Sequence, residues 1–360
     1  MSTRKKGFIY VVFVIIFVLT SISKLESASA PPTSSSTPPR KVHERLVFFA
    51  LQPGTSIFAT NVGLSQLVNK YTKLKTIVQP YPSSITRFDN LRRGNVDLAT
   101  ATAVNAYAFI YNIKLPTEPN VKEPTPEARF LLGGNNLYYG WTTRPDTGIK
   151  TIADLRGRRV TGQVPGQASL RIFYEQTLLA YGIQKEDVRH MPFDNTPATV
   201  EALQDGKVDA TFTSLGGAKI EEAVATKNAF ALPFPPEKRQ FLTEKPELVK
   251  IHLLPAKHLS VLREPTPVIG IQNFLVCRSD LPEASAYMIT KAVLEHAEEL
   301  ISVSVEFKEW GLKQAIPSDF FVPYHPGAIK YFKEKKMWNA GHDARQKENL
   351  DKIAKIPKTK

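Results

Sequence analysis

Short apolar runs and helical patterns alternate along the chain from about residue 46 onwards. The run LVFFAL at residues 46–51 is typical of a buried strand, residues 61–71 space their apolar positions as a helix does, and the strand-like TIVQPY follows at residues 76–81. The same order continues downstream. Such alternation predicts an α/β fold in which mainly parallel sheets are flanked by helices.

Two segments of the chain resemble each other and suggest an internal duplication. LRRGNVDLATA at residues 91–101 recurs as LQDGKVDATFT at residues 203–213. Each predicts a helix that ends at a left-handed Gly, followed by a Val-Asp step into a buried strand. A match this short also arises by chance, but two equivalent junctions favour two α/β lobes of similar design.

The duplication sets the predicted domain organisation. Lobe one is placed at residues 44–144 and 268–360, and lobe two at residues 145–267. The chain then crosses between the lobes twice. Segments 141–144 and 267–272 are the predicted hinges, about which the lobes would close on a ligand.

The N-terminus has the pattern of an export signal. Three basic residues at positions 4–6 precede an apolar run at 8–22 and then small residues, which predicts a signal peptide over residues 1–30 and a periplasmic location. Pro31 would impede cleavage directly before it, so retention as an N-terminal membrane anchor stays open. Residues 31–43 form a predicted Pro/Ser/Thr linker.

Composition narrows the partners and the chemistry. The 360 residues include 47 Lys and Arg against 34 Asp and Glu, a formal charge of +13 that favours anionic partners. Much of the basic charge lies in residues 330–360, where a solvated tail helix explains it better than a nucleic-acid surface, so no nucleic-acid partner is expected. The single cysteine, Cys277, excludes an intramolecular disulfide and any metal site built from several thiolates.

Sequence motifs for catalysis are missing. Neither GxSxG nor HExxH occurs, and GRRVTGQ at residues 157–163 lacks the Lys of a phosphate loop. The histidines show no ligand spacing, so neither a metal nor a cofactor is expected. Cys277 lies in an apolar strand pattern typical of a buried, inert thiol, although a transferase that uses it as nucleophile remains an alternative. A protein without enzymatic activity is predicted.

Three loops of small residues, at 52–56, 81–84 and 162–169, each lead into a predicted helix. Free backbone N–H groups and the positive end of the helix dipole make such junctions suitable for anions. For any one of these loops alone, an ordinary N-cap is the better explanation. Three of them in two similar lobes favour a cleft that holds a small anion.

Several segments resemble the TAXI family of TRAP-transporter solute-binding proteins over residues 44–335. They are DLRGRRV at 154–160, ALQDGKVDA at 202–210 and VPYHPGAIKYF at 322–332. The resemblance implies a two-lobed type II periplasmic-binding-protein fold with the ligand cleft between the lobes. It implies a monomeric receptor that presents a small organic acid, a carboxylate or amino acid, to TRAP permease membrane subunits. An exported sensing or scaffolding module that acts through a partner protein is the alternative.

The resemblance also implies ligand-binding positions. The family's Gly-Gly-Thr-Tyr-Tyr, Gly-Ser and Pro-Gly-Ser-Gly-Thr loops correspond to residues 54–58, 83–84 and 165–169. The candidates on these loops are Gly54, Thr55, Ser56, Phe58, Ser83, Ser84, Gly166, Gln167, Ala168 and Ser169.

Charged residues near the predicted cleft need separate interpretation. Arg144, beside the first hinge, could pair with a ligand carboxylate through both arms of its guanidinium, or it could be an ordinary solvent-facing hinge residue. Asp97, Asp154 and Asp209 are expected to be caps or junction residues, because an acidic cleft would repel an anion.

Overall fold

The structure is a computed structural model that describes residues 45–81, 83–113, 123–243, 245, 247–302 and 305–356. The predicted signal peptide at 1–30 and the predicted linker at 31–43 lie outside the described residues. So does the side chain of Ala168. Within the described part of the chain, no helix has both the length and the apolar character that crossing a bilayer requires.

The described residues form ten strands and nine α-helices. The strands are β1 (Arg45–Ala50), β2 (Lys75–Pro80), β3 (Leu98–Thr102), β4 (Ala128–Thr143), β5 (Arg159–Thr161), β6 (Arg189–His190), β7 (Ala210–Ser214), β8 (Phe230–Ala231), β9 (Lys250–Leu254) and β10 (Thr266–Arg278). The helices are α1 (Ser56–Tyr71), α2 (Ile85–Arg93), α3 (Ala103–Tyr111), α4 (Ala168–Leu179), α5 (Thr196–Gln204), α6 (Ala218–Lys227), α7 (Glu283–Glu295), α8 (Pro326–Glu334) and α9 (Ala340–Ala354).

The strands form one continuous hydrogen-bonded path in the order β2-β1-β3-β10-β4-β7-β5-β6, with β9 on β10 and β8 on β4. Pairing is parallel among β2, β1 and β3 and among β7, β5 and β6. The pairings that involve β4 or β10 are antiparallel. The α/β prediction is therefore confirmed, and the long strands add antiparallel pairings that local hydrophobic patterns do not reveal.

The two long strands β4 and β10 run through both halves of the sheet. In the first half, the end of β10 pairs with β3 and with the start of β4. In the second half, the start of β10 pairs with β9, and the end of β4 pairs with β7. The register shifts between Gln272, opposite Asn136, and Phe274, opposite Gly133. This bulge separates the first half (β1 to β3 with their helices) from the second half (β5 to β9 with theirs).

The duplicated Gly-x-Val-Asp segments occupy equivalent positions in the two halves. Asp97 exchanges hydrogen bonds with Val47 of β1: its backbone N–H donates to the Val47 carbonyl (3.0 Å) and its carboxylate accepts from the Val47 N–H (2.9 Å). Asp209 makes the same pair with Arg159 of β5, at 2.7 and 2.9 Å. The expectation that both aspartates are junction residues is confirmed, and each joins its strand to the neighbouring one.

The HPGA segment is a packing motif at the start of α8. His325 is the N-cap, and its Nδ1 accepts a hydrogen bond from the Gly327 N–H at 3.2 Å. A Cβ on Gly327 would collide with the Glu283 carbonyl at the start of α7. The motif therefore permits close packing of two helices in the first half, α7 and α8.

Replacing Asp209 with Ala should destabilise the second half of the sheet. The Arg159 N–H would lose its acceptor, and the ion pair from Arg159 Nη2 to Asp209 Oδ1 (2.6 Å) would be lost as well. We expect the free energy of unfolding, measured by urea denaturation at neutral pH, to fall by about 1–3 kcal/mol. Asp205→Ala, which removes an exposed partner of Lys207, serves as the control and should change it by less than about 0.5 kcal/mol.

The contribution of Asp209 should also depend on pH. Burial alone raises the pKa of Asp209, but the hydrogen bonds and charge of Arg159 outweigh it, and the net pKa is lowered. A carboxylate with a depressed pKa in the folded state stabilises the protein above its unfolded pKa of about 3.9 and loses that effect as pH falls through the folded value. The difference between wild type and Asp209→Ala should therefore shrink below about pH 4; a difference that grows there would contradict this assignment.

Candidate functional site

Helices from both halves begin around one cavity. Together with the open space at its mouth, it contains about 680 Å³ that protein atoms do not occupy. Residues in the first turn of each of α1 to α6, or directly before it, line this space. The lining residues are Leu51, Gly54, Thr55, Ser56, Ile57, Ser84, Arg87, Thr102, Asn105, Leu137, Tyr139, Gln167, Ser169, Leu170, Thr196, Pro197, Val200, Thr213, Ser214, Gly217, Lys219 and Ile220. Six helix N-termini around one cavity create a positive electrostatic potential there.

The first loop brings the start of α1 against the second half. Thr55 is the N-cap, and its Oγ1 accepts a hydrogen bond from the Phe58 N–H at 3.2 Å. Gly54 has a φ of +89°, which places its carbonyl against Gly217 at the start of α6. The hydroxyls of Ser56 and Ser214, one from each half, lie 3.1 Å apart.

The second and third loops meet directly. The carbonyl oxygen of Gly166 accepts hydrogen bonds from the Ser84 N–H (2.9 Å), the Ser84 hydroxyl (2.7 Å) and the Ser83 hydroxyl (3.1 Å). Gly166 has a φ of +72°, and a Cβ there would collide with the Ser83 side chain. A residue with a side chain would therefore push the two halves apart. In this conformation the serine hydroxyls hold the halves together.

The start of α4 makes a further contact across the cavity. The Ser169 hydroxyl donates to Asn105 Oδ1 of α3 at 2.6 Å and lies 3.4 Å from the hydroxyl of Thr102, the N-cap of α3. Gln167 is the N-cap residue of α4, makes no side-chain cap hydrogen bond, and lines the cavity. Buried hydroxyl and amide groups thus stand on both walls of this space.

The structure brings most of the predicted site residues to this cavity. Gly54, Thr55, Ser56, Ser84, Gln167 and Ser169 line it, while Ser83 and Gly166 form the contact beside it. Phe58 is half-buried and does not line the cavity; the neighbouring Ile57 does.

Arg144 lies at the opposite end of the sheet from the cavity. It follows β4, where Thr143 pairs with Ala210 at the start of β7, whereas the cavity is at the other end of β7, beside Ser214. That separation is about 13 Å at 3.3 Å per residue. Arg144 donates to the carbonyls of Leu203 and Val208 and pairs with Asp146. It is 7% exposed, so it is neither a cavity residue nor a solvent-facing one.

The cavity contains a charged residue that the sequence analysis missed. Arg87, in the first turn of α2, is 1% exposed and lines the cavity. Its guanidinium lies 4.9 Å from the centre of the Phe49 ring. Its Nε and Nη1 atoms are buried and have no hydrogen-bond partner in the protein. Burial lowers the pKa of Arg87 to about 10, which leaves the group charged at neutral pH.

A signal for Arg87 does exist in the sequence. The buried residues of α2 are Arg87, Phe88 and Leu91, which share one helical face. Arg92, which is half-buried, and Arg93, which is exposed, pair with carboxylates in the usual way. An arginine placed on the apolar face of a short helix can therefore be found from helical spacing alone.

Acidic groups are kept away from the cavity wall. The residues that line it include no Asp or Glu. Lys219 is the second lysine or arginine on the wall, and its Nζ is held by Glu201 (2.9 Å) and Glu222 (3.0 Å). Its hydrogen bonds to Glu201 and then Glu222 raise the pKa of Lys219. Arg87 thus provides the cavity's uncompensated positive charge.

Two other kinds of chemistry have little support in the described residues. No three His, Cys, Asp or Glu side chains in that part of the chain are grouped so that they could hold a metal ion. Cys277 is fully buried in β10, opposite Leu98 and Arg129, and is not a cavity residue. Burial raises the pKa of its thiol far above the usual value, so the reactive thiolate is disfavoured.

Comparison with known proteins agrees with this architecture. The sequence model of the NMT1-like family matches residues 52–335, which include most of both halves and every residue of the cavity except Leu51.

Solved structures show the same fold. One, described as a periplasmic transporter, has a TM-score of 0.54 and 13% identity over 85% of this chain and 97% of its own. PhnD1 from Prochlorococcus marinus (MIT 9301), in complex with methylphosphonate, has a TM-score of 0.50 and 12% identity over 82% of this chain and 99% of its own. The expected two-lobed periplasmic-binding-protein fold is confirmed.

Replacing Arg87 with Met should stabilise the ligand-free protein. The substitution keeps an apolar stem of similar length against Phe49 and removes a buried charge whose Nε and Nη1 have no acceptor. We expect the free energy of unfolding to rise by about 1–3 kcal/mol in urea denaturation of protein freed of bound ligand by dialysis.

Arg93→Met on the same helix is the matched control. Arg93 is exposed and pairs with Asp89, so its replacement should change stability by less than about 0.5 kcal/mol. Destabilisation by Arg87→Met that clearly exceeds the control would mean that the protein itself satisfies the guanidinium.

Proposed function

The chain belongs to the NMT1-like family, and from this premise we propose that it is an exported receptor for a small organic anion. The receptor closes its two lobes on the anion and delivers it to the membrane subunits of a TRAP-type permease, as the TAXI resemblance implies. It works as a monomer in the periplasm without catalysing a reaction. Residues 1–30 direct export and are removed or kept as an anchor, and residues 31–43 are the linker.

One observation carries the anion assignment. Arg87 is a buried cation whose Nε and Nη1 have no partner, and it faces a cavity without acidic wall residues. A buried unpaired charge is unfavourable unless a binding partner compensates it. An anion in the cavity would supply acceptors to Arg87 and would also be stabilised by the surrounding helix N-termini.

The neutral polar groups of the proposed site come from both lobes. Thr55, Ser56 and Ser84 contribute from lobe one, and Gln167 and Ser169 from lobe two. Because hydroxyls of both lobes already touch each other, closure and ligand binding use the same side chains. An anion would then strengthen the closed state by bridging groups that separate when the lobes open.

The hinge is proposed at the bulge in the two long strands. Trp141 pairs with Phe212 of β7, which supports placing it within lobe two. The boundaries then fall at residues 134–136 of β4 and 272–274 of β10, where the register shifts. Under this proposal lobe one comprises residues 45–134 and 273–356, and the first hinge lies upstream of the segment 141–144 expected from the sequence.

The anion assignment is tested by native mass spectrometry of the purified protein. The wild type and the control Arg93→Gln should each retain one small anion, which is released on denaturation. Arg87→Gln should retain none, because the charge that holds the anion is gone, although its circular dichroism spectrum stays that of the folded protein. Equal retention by Arg87→Gln, or recovery of a cationic ligand, would contradict the assignment.

The transport role is tested by uptake of the identified anion. Cells of the source organism that lack this protein should accumulate it more slowly, and loss of the TRAP permease should have the same effect. Unchanged uptake in both strains, with altered gene expression in response to the anion, would instead favour a sensing module.

A further inference from the structure

We infer that the ligand is a monocarboxylate with an apolar body and without an ammonium group or a second carboxylate. This inference rests on the proposed function, because it concerns the same cavity. It follows from one juxtaposition: a single uncompensated cation, Arg87, faces a wall whose other cation, Lys219, is already paired.

The head group is set by Arg87. A carboxylate has one negative charge spread over two oxygens, which matches one guanidinium with unpartnered N–H groups. The hydroxyls of Ser84 and Thr102 and the amide of Asn105 also line the cavity and offer further polar contacts.

A second carboxylate on the ligand would find no unpaired cationic side chain on the cavity wall. The Lys219 ammonium lies 2.9 Å from a Glu201 oxygen and 3.0 Å from a Glu222 oxygen, so one positive charge is held between two negative ones. A ligand carboxylate approaching Lys219 would be repelled by both glutamates. Dicarboxylates are therefore disfavoured, although the wall contains two cationic side chains.

An α-ammonium group is disfavoured for the opposite reason. In an α-amino acid the ammonium is attached next to the carboxylate, so it would lie close to the Arg87 guanidinium. No Asp or Glu lines the cavity to compensate it. Desolvating an ammonium that has only neutral acceptors and a neighbouring cation is unfavourable.

The remaining wall is suited to an apolar chain. Aliphatic side chains from both lobes contribute to it, and all of them are buried. They are Leu51, Ile57, Leu137, Leu170, Val200 and Ile220. Each methylene that enters such a surface should increase affinity about fourfold.

The test is isothermal titration of the purified protein, freed of endogenous ligand, with four probes. These are butanoate, hexanoate, 2-aminohexanoate and adipate. The affinity for hexanoate should exceed the affinities for 2-aminohexanoate and adipate by about tenfold or more. It should also exceed the affinity for butanoate, by about fourfold for each additional methylene. Arg87→Gln should lose hexanoate binding, while the control Arg93→Gln retains it.

A gain-of-function variant tests whether the pairing of Lys219 with two glutamates is what excludes dicarboxylates. The double substitution Glu201→Gln and Glu222→Gln leaves Lys219 without its anionic partners. At least one dicarboxylate among succinate, adipate and suberate should then gain about tenfold in affinity relative to hexanoate. If none gains, the proposed reason for excluding dicarboxylates is wrong.

The outcomes separate the inference from the proposed function. Tighter binding of 2-aminohexanoate or adipate than of hexanoate to the wild type would overturn the monocarboxylate inference and leave an anion receptor in place. If none of the probes binds at millimolar concentration and no anion copurifies with the protein, both fail. Hexanoate binding that persists in Arg87→Gln would overturn the role of Arg87 in both.

Discussion

The buried charge of Arg87 is the constraint on which the account of this protein depends. A guanidinium held at 1% exposure with two nitrogen atoms unpartnered is unfavourable in isolation. The hydrophobic core formed by the sheet and its helices must therefore offset the unfavourable free energy of this buried guanidinium. Such an arrangement is reasonable where the missing partner arrives from outside, because binding then recovers the interaction that folding leaves unmade.

The rest of the cavity is organised around the same requirement. The strands of both halves end at one place, so the helices that follow them point their N-termini at one space. The acidic residues of the duplicated junctions, Asp97 and Asp209, are used at the opposite ends of the strands, where they bind backbone N–H groups. The parallel arrangement in each half thus separates these acidic structural positions from the cavity that contains Arg87.

Hydrophobic spacing predicted the alternation of strands and helices, and small residues predicted the three loops, because these features depend on short stretches of chain. The bulge between Gln272 and Phe274 was not predictable, since it arises from the register of two strands distant in sequence. Arg144 was misplaced because being close to a hinge in sequence says nothing about which end of a strand a residue occupies. Arg87 was not predicted, because an arginine on a helix is ordinarily solvated, whereas this one shares the buried face of α2 with Phe88 and Leu91. The HPGA segment, which carries the family resemblance in the sequence, packs two helices together and does not line the cavity.

A crystal structure of the protein with the anion that copurifies would test the central claim most directly. The account predicts an anion oxygen at about 2.7–3.2 Å from Nε or Nη1 of Arg87, with the lobes closed over it. An anion bound elsewhere, while both of these nitrogen atoms remain without a partner, would contradict it.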